Sequence, residues 1–334
     1  MNYIGSKYSL LCFLEENIKQ TLKENNSKPL SESIFCDLFS GTASVSKVFK
    51  RQVKKIIAND KEYYSFVLTK NYIGNNKILN RSKELIDSLN NIRKIKSKIY
   101  NNYAKGGGNE RQYFSDENAM KIDAVRSKIE NWKNKKIINS GEYFFLLASL
   151  LENADKVANT ASVYGAFLKH IKASAQKELI LKPAEFELSD NEHEVYNEDA
   201  NSLITKIKGD ILYLDPPYNS REYGANYHIL NTIALYDDFE PKGITGLRPY
   251  TKSNWCKKGK VYNELDTLIK NANFKYIFLS YNDEGLLSLD AIKEIFSRYG
   301  KYKVKSKKYK RFKADNNRVN KKDKTTEYLH VLIK

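Results

Sequence analysis

The chain has only three cysteines, Cys12, Cys36 and Cys256, far apart and without a C-x-x-C pair. That leaves an odd thiol and points to neither a disulfide framework nor a zinc site, which fits a reducing cytosol. No run of about 18 or more apolar residues occurs, so a membrane-spanning helix is not expected. The first residues lack the apolar stretch and small-residue cleavage site of a secretory leader. A soluble, cytoplasmic protein without membrane association or metal is the expectation. The G-x-G-x-x-G spacing of dinucleotide sites is missing as well, and no internal repeat is visible.

What is present belongs to a folded enzyme-sized chain. A hydrophobic fraction of 41% and an aromatic fraction of 12% argue against disorder. At 334 residues there is room for one large α/β domain with a smaller one inserted or appended. Lys and Arg number 57 against 40 Asp and Glu, a formal net charge of +17. Such an excess favours a polyanionic partner through phosphate contacts and counterion release. An AT-rich coding sequence would also enrich Lys and Asn throughout, so charge alone does not choose nucleic acid.

Along the chain, Leu10, Leu11, Phe13, Leu14, Ile18 and Leu22 recur at helical spacing after Tyr3-Ile4-Gly5-Ser6-Lys7. Residues 34–39 form a compact apolar run that ends at Ser40-Gly41-Thr42, and Val45, Val48 and Phe49 resume a helical period. Residues 54–60 make a second short strand ending in Asp60. This β-α-β unit predicts a parallel sheet with ligands outside the carboxyl ends of its strands. From 62 to 189 the sequence turns polar and mainly helical, with a more apolar stretch from Tyr143 to Leu151. That region is expected to be an insertion, with 1–61 and 190–334 forming the catalytic domain. Strand-like segments return at 194–197, 210–215, 275–281, 302–312 and 327–333. The last two suit a hairpin that appends an antiparallel element to the sheet.

Asp215-Pro216-Pro217-Tyr218 follows the apolar run Ile211 to Leu214, which places an acid, two rigid residues and an aromatic just beyond a strand. The prolines fix φ near −65° and remove two donors. The carboxylate and the Pro216 carbonyl then make a fixed acceptor array, as an exocyclic amino group requires, and Tyr218 offers a stacking face. Such a tetrapeptide can also simply turn the chain. Gly41, where a strand becomes a helix, permits close backbone approach to a ligand, and Asp60 is placed to accept from ribose hydroxyls, although a helix cap is the plainer role.

The ordered set Y-I-G-S-K, D-L-F-S-G-T-A-S, N-D, N-E-D and D-P-P-Y resembles the adenine-N6 DNA methyltransferases of restriction-modification systems in their alpha arrangement. The resemblance implies a Rossmann-like S-adenosylmethionine-dependent methyltransferase fold, a mixed sheet flanked by helices, with the insertion at 62–189 as a target-recognition region. It implies double-stranded DNA as substrate and, as a further partner, a separately encoded restriction endonuclease. The cofactor residues it implies are Tyr3, Lys7, Phe39, Gly41, Asp60, Asp199 and Asp215, while Asp215, Pro216 and Tyr218 hold the target amine. Asp199 is equally placed to be an N-cap. Ala43 departs from the pattern where many relatives have a second glycine.

Adenine N6 is a poor nucleophile because its lone pair is delocalised. Acceptors on its hydrogens favour the pyramidal form that attacks, and the base must leave the duplex to be reached. For the DNA itself, Lys105 and Arg111 flank or follow Gly106-Gly107-Gly108 in a basic loop. Asn159 opens a polar stretch running to Gly165, and Arg221, Tyr223 and Asn226 follow the tetrapeptide. Each also has a structural reading, as solvated loop or helix end. Cytosine-N4 methylation, RNA adenine methylation and a catalytically inactive DNA-binding relative remain alternatives at this stage.

Overall fold

A computed structural model describes residues 7–310 and 324–334. Within it the chain divides into two compact units, one formed by Glu62–Leu188 and Tyr223–Thr251, the other by the described residues of 7–61, Ser189–Glu222 and 252–334.

The second unit is built on one sheet of seven strands: β1 (Ile34–Asp37), β2 (Lys55–Asn59), β3 (Glu194–Tyr196), β4 (Lys208–Leu214), β5 (Asn273–Asn282), β6 (Lys301–Lys310) and β7 (Lys324–Ile333). Their order is β3-β2-β1-β4-β5-β7-β6. The first five run parallel, and β7 lies antiparallel between β5 and β6. The sheet is therefore mixed, with the expected hairpin attached to β5 through its second strand. Strands buried on both faces read as unbroken apolar runs, as Ile211 to Leu214 and Ile277 to Leu279 do. Leu265, Leu268 and Ile269 of the helix Val261–Asn271 pack on this core with Ile292, Ile295 and Phe296 of the helix Leu289–Ser297. The outer strand β6 exposes Lys301, Lys305, Lys307 and Lys308, charges that discourage pairing with another edge. Of the strand expected over 302–312, residues 311 and 312 lie outside the described residues.

In a doubly wound sheet the ligand crevice opens where the strand order reverses. Here that point lies between β1 and β4, whose ends are in register with Asp37 opposite Tyr213. Asp37 and Asp215 thus leave the sheet side by side at the carboxyl ends of neighbouring strands.

The other unit is helical. The helix Ser140–Lys156 begins with a capping box between Asn139 and Glu142 and buries Phe145, Leu146, Leu147, Leu150 and Leu151, the apolar stretch noted in the sequence. Tyr223–Thr251, which sequence position assigns to the catalytic domain, belongs to this unit instead. The reason is packing: the helix His228–Leu235 is buried along almost its whole length and lies against the helices Tyr63–Thr69 and Ser140–Lys156. Arg126, itself buried, donates to the carbonyls of Ile233 (3.0 Å), Ala234 (3.1 Å) and Leu235 (3.4 Å) and so closes that helix's carboxyl end. No helix among the described residues is long and apolar enough to cross a membrane.

Candidate active site

The turn after β1 needs left-handed backbone twice. Gly41 has φ 52° and Ala43 φ 58°, the second being the position where the resemblance leads one to expect glycine. A Cβ in that conformation costs about 1 kcal/mol, so alanine is accommodated with strain. The Gly41 N–H donates to Asp60 Oδ2 at 2.8 Å, and that bond ties the turn to the end of β2. Asn59 completes the stitching. Its Nδ2 donates to the carbonyls of Leu38 and Glu198, both at 3.1 Å, while its Oδ1 accepts from Glu198 N at 2.9 Å. Phe39, half-buried, meets Trp255 edge to face with ring centroids 5.2 Å apart.

Asp37 is buried and accepts a 2.6 Å bond from Ser46 Oγ on Oδ2, while its Oδ1 is buried with no hydrogen-bond partner. Burial, opposed by the Ser46 bond and reinforced by the nearby Asp215 charge, pushes its carboxyl up to about 7. An unpaired buried acceptor is costly, and at the mouth of a sheet it marks a place for a donor.

Asp215 follows β4, and its Oδ1 lies 2.8 Å from Lys7 Nζ. Lys7 is only 4% exposed and reaches a second carboxylate, Glu327 Oε1, at 3.3 Å. Burial raises the Asp215 carboxyl to about 6, against the Lys7 cation and with the help of the Glu327 charge. Burial opposes the charge on Lys7, yet these two carboxylates hold it protonated well above its usual range. Tyr218 stands over the same ammonium, 5.3 Å from ring centre to Nζ, and packs edge-on against Tyr281 at 6.1 Å. Its carbonyl accepts from Leu286 N at 2.9 Å, which fixes the turn that follows the prolines.

Of the expected cofactor residues, the structure gathers Lys7 with Asp215 and Gly41 with Asp60 in the sheet unit. Tyr3 lies outside the described residues. Asp199 Oδ1 caps the short helix Ala200–Leu203 by accepting from Asn201 N (3.0 Å) and Ser202 N (3.2 Å), the alternative role its spacing allowed. Asp215 and Glu327 about one buried ammonium, with the unspent oxygen of Asp37 near Asp215, form a site with surplus negative charge when ionised. Such a site fits a cationic ligand, and S-adenosylmethionine carries both a sulfonium and an ammonium.

The expected nucleic-acid residues fare differently. Lys105 and Arg221 are exposed. Arg111 spends its guanidinium on the carbonyls of Asn102 (3.3 Å), Gly243 (3.1 Å) and Ile244 (3.2 Å). Asn159 is fully buried: Nδ2 donates to the carbonyls of Gln112 (2.9 Å) and Leu168 (3.0 Å), and Oδ1 accepts from Lys172 N at 3.0 Å. It is a backbone clamp with nothing left to offer a base. Tyr223 stacks on Tyr227 at 6.0 Å, and the Asn226 carbonyl accepts from Tyr164 N at 2.7 Å.

Three site residues escaped the sequence reading: Asp37, Trp255 and Glu327. The signal for Glu327 was available, since it alternates with Leu329 and Val331 on the buried face of a strand where an acid needs a partner.

The profile of the D12 class N6 adenine-specific DNA methyltransferase family matches residues 3–295. Over its whole length the chain is 56% identical to the Type II methyltransferase M.NlaIII of Neisseria lactamica and spans 99% of that protein. It is 41% identical to the Type II methyltransferase M.FokI of Planomicrobium okeanokoites over 94% of this chain, which spans 50% of that larger protein. With the Type II methyltransferase M.CviAII of Paramecium bursaria Chlorella virus 1 the identity is 37%, covering 94% of this chain and 93% of the relative. With the D-P-P-Y acceptors at the switch point of the sheet and the profile extending over most of the sequence, the chain belongs to the D12 class of N6 adenine-specific DNA methyltransferases.

Proposed function

We propose that this enzyme is the modification methyltransferase of a type II restriction-modification system, acting on adenine in double-stranded DNA at one short sequence, with a separately encoded endonuclease as its companion. Bound S-adenosylmethionine supplies a sulfonium-activated methyl group. In this reading Asp215 and the Pro216 carbonyl accept hydrogen bonds from N6 of the extruded adenine, which pyramidalises the amine and aims its lone pair. Tyr218, braced by Tyr281, provides the stacking face that offsets lost pairing. Phe39 and Trp255 wall the donor's side of the site, the Gly41 turn with Asp60 receives its ribose, and the free oxygen of Asp37 receives a cationic donor group. Transfer is direct and in-line, so positioning and fixed charge supply the rate.

The observation that carries this reading is the pair of acids at the ends of β1 and β4, Asp37 buried and Asp215, within Asp215-Pro216-Pro217-Tyr218, half-buried and ion-paired to buried Lys7. The net charge of +17 supplies the attraction to phosphates; the helical unit is assigned target recognition, with Lys105, Tyr223 and Asn226 as contacts and Arg111 as the brace of the turn at Gly243 and Ile244, and Arg221 of the sheet unit is assigned a further DNA contact. Sequencing modified bases in DNA from cells expressing the enzyme tests it. N6-methyladenine confined to one short context is expected; methylation scattered without context would overturn the type II assignment.

A further inference from the structure

Behind Asp215 stands a second carboxylate with no role in the family's motifs as they appear in this sequence. Glu327, on β7, is fully buried and held on both sides by the sheet. Ser280 Oγ on β5 donates to its Oε1 at 2.5 Å, and Tyr309 Oη on β6 donates to its Oε2 at 3.2 Å. Lys7 Nζ sits between this fixed group and the catalytic acid, 3.3 Å from Glu327 and 2.8 Å from Asp215. An ammonium on a flexible four-carbon stem takes its position from the charges around it. Were Asp215 its sole counter-ion, the whole of the Lys7 charge would fall on that carboxylate and weaken the acceptor the reaction needs; with Glu327 in reach the ammonium is shared.

We propose that Glu327 is a positioning residue that shares the Lys7 ammonium with Asp215, so that Lys7 fixes the orientation of Asp215 without fully neutralising it. The inference rests on the reading of Asp215 as the acceptor of the target amine. The titratable groups around Asp215 are Lys7 before the first helical turn, Asp37 at the end of β1, Tyr213 on β4, Tyr218 in the turn that follows, and Glu327 on β7. Among them Lys7 favours the ionised carboxyl and Glu327 disfavours it. Glu327 therefore keeps Asp215 basic, and the hairpin of β6 and β7 becomes part of the catalytic apparatus.

The test compares kcat/KM against pH for the wild type and Glu327→Gln, which keeps size and hydrogen bonding but removes the charge. With S-adenosylmethionine saturating and an adenine-containing duplex as substrate, the acid limb is expected to move to lower pH by on the order of one unit. The plateau kcat is expected to fall by on the order of tenfold, with KM for DNA unchanged within about twofold. A limb that stays in place, whatever the change in kcat or melting temperature, would mean that Glu327 only fills and neutralises the interior, and would overturn the proposal. A limb that moves to higher pH would overturn it too, since Lys7 would then have needed Glu327 to stay on Asp215. If Glu327→Gln does not fold, Glu327→Asp carries the test: the retracted charge should shift the limb part of the way, and an unmoved limb counts against. Asp215→Asn separates the two failures. Full activity in that variant would remove the reading of Asp215 itself, whereas an inactive Asp215→Asn beside an unmoved Glu327→Gln limb removes this inference alone.

Discussion

The buried acids and amides that stand out in the two units are used differently. In the helical unit the buried amide of Asn159 and carboxylate of Asp123 are spent on the chain itself: Asn159 clamps backbone at Gln112, Leu168 and Lys172, and Asp123 accepts from the amides of Ser97, Ile99 and Tyr100. Arg126 closes a helix end in the same way. In the sheet unit, Asp37 keeps an oxygen without a partner, and Asp215 carries a raised carboxyl beside an ammonium it shares with Glu327. Burial alone therefore does not mark function. What separates a site from a scaffold is whether the buried group's hydrogen-bonding capacity has already been used.

The sharpest way to break this contrast is to change one acid in the sheet unit. Asp215→Asn removes the acceptor charge with almost no change in volume, and transfer should fall by on the order of a thousandfold while the melting temperature holds. Steady-state kinetics beside a thermal melt read both, and a variant that unfolds instead would place Asp215 with the scaffold. Asn159→Ala should do the reverse. Leaving the Gln112 carbonyl and the Lys172 amide without their Asn159 partner costs about 2 kcal/mol of stability, visible as a lower melting temperature, with DNA affinity below the melt unchanged. Lost affinity with an unchanged melt would return Asn159 to the DNA interface.

How legible each region was in the sequence follows from the same contrast. The strands at Ile34 and Ile211, the glycine turn and the Asp-Pro-Pro-Tyr corner are local signals: unbroken apolar runs that end where the backbone must turn. The sheet and its acids could be read from them. Asparagine, in contrast, looks the same in sequence whether it faces a base or clamps backbone, and only its hydrogen bonds in the folded chain tell Asn159 apart. The attachment of Tyr223–Thr251 to the helical unit depends on Arg126, about a hundred residues away in sequence, as the separations of 107 to 109 show. Glu327 lies further still from Lys7, and only the antiparallel pairing of β7 with β5 brings it behind Asp215.

Two smaller effects sharpen the account of the sheet unit. Burial raises Asp37 to about 7 and Asp215 to about 6, so both take up protons as pH falls through that window, and a cationic ligand favours their ionised forms. Affinity for S-adenosylmethionine should therefore rise by about tenfold from pH 5.5 to 7.5, measured by titration calorimetry, with a shallower rise in Asp37→Asn. A flat profile would detach these acids from the cofactor. Last, Ala43→Gly relieves the left-handed backbone at φ 58° and should raise stability by up to about 1 kcal/mol, read from denaturant unfolding; a loss of stability would mean that the turn is not strained.

The most direct measurement is transfer of label from S-adenosylmethionine to a duplex, followed by nucleoside analysis, for the wild type and Asp215→Asn side by side. The expected result is label in N6-methyladenine from the wild type and none from the variant. Label in 4-methylcytosine, or undiminished N6-methyladenine from Asp215→Asn, would contradict it.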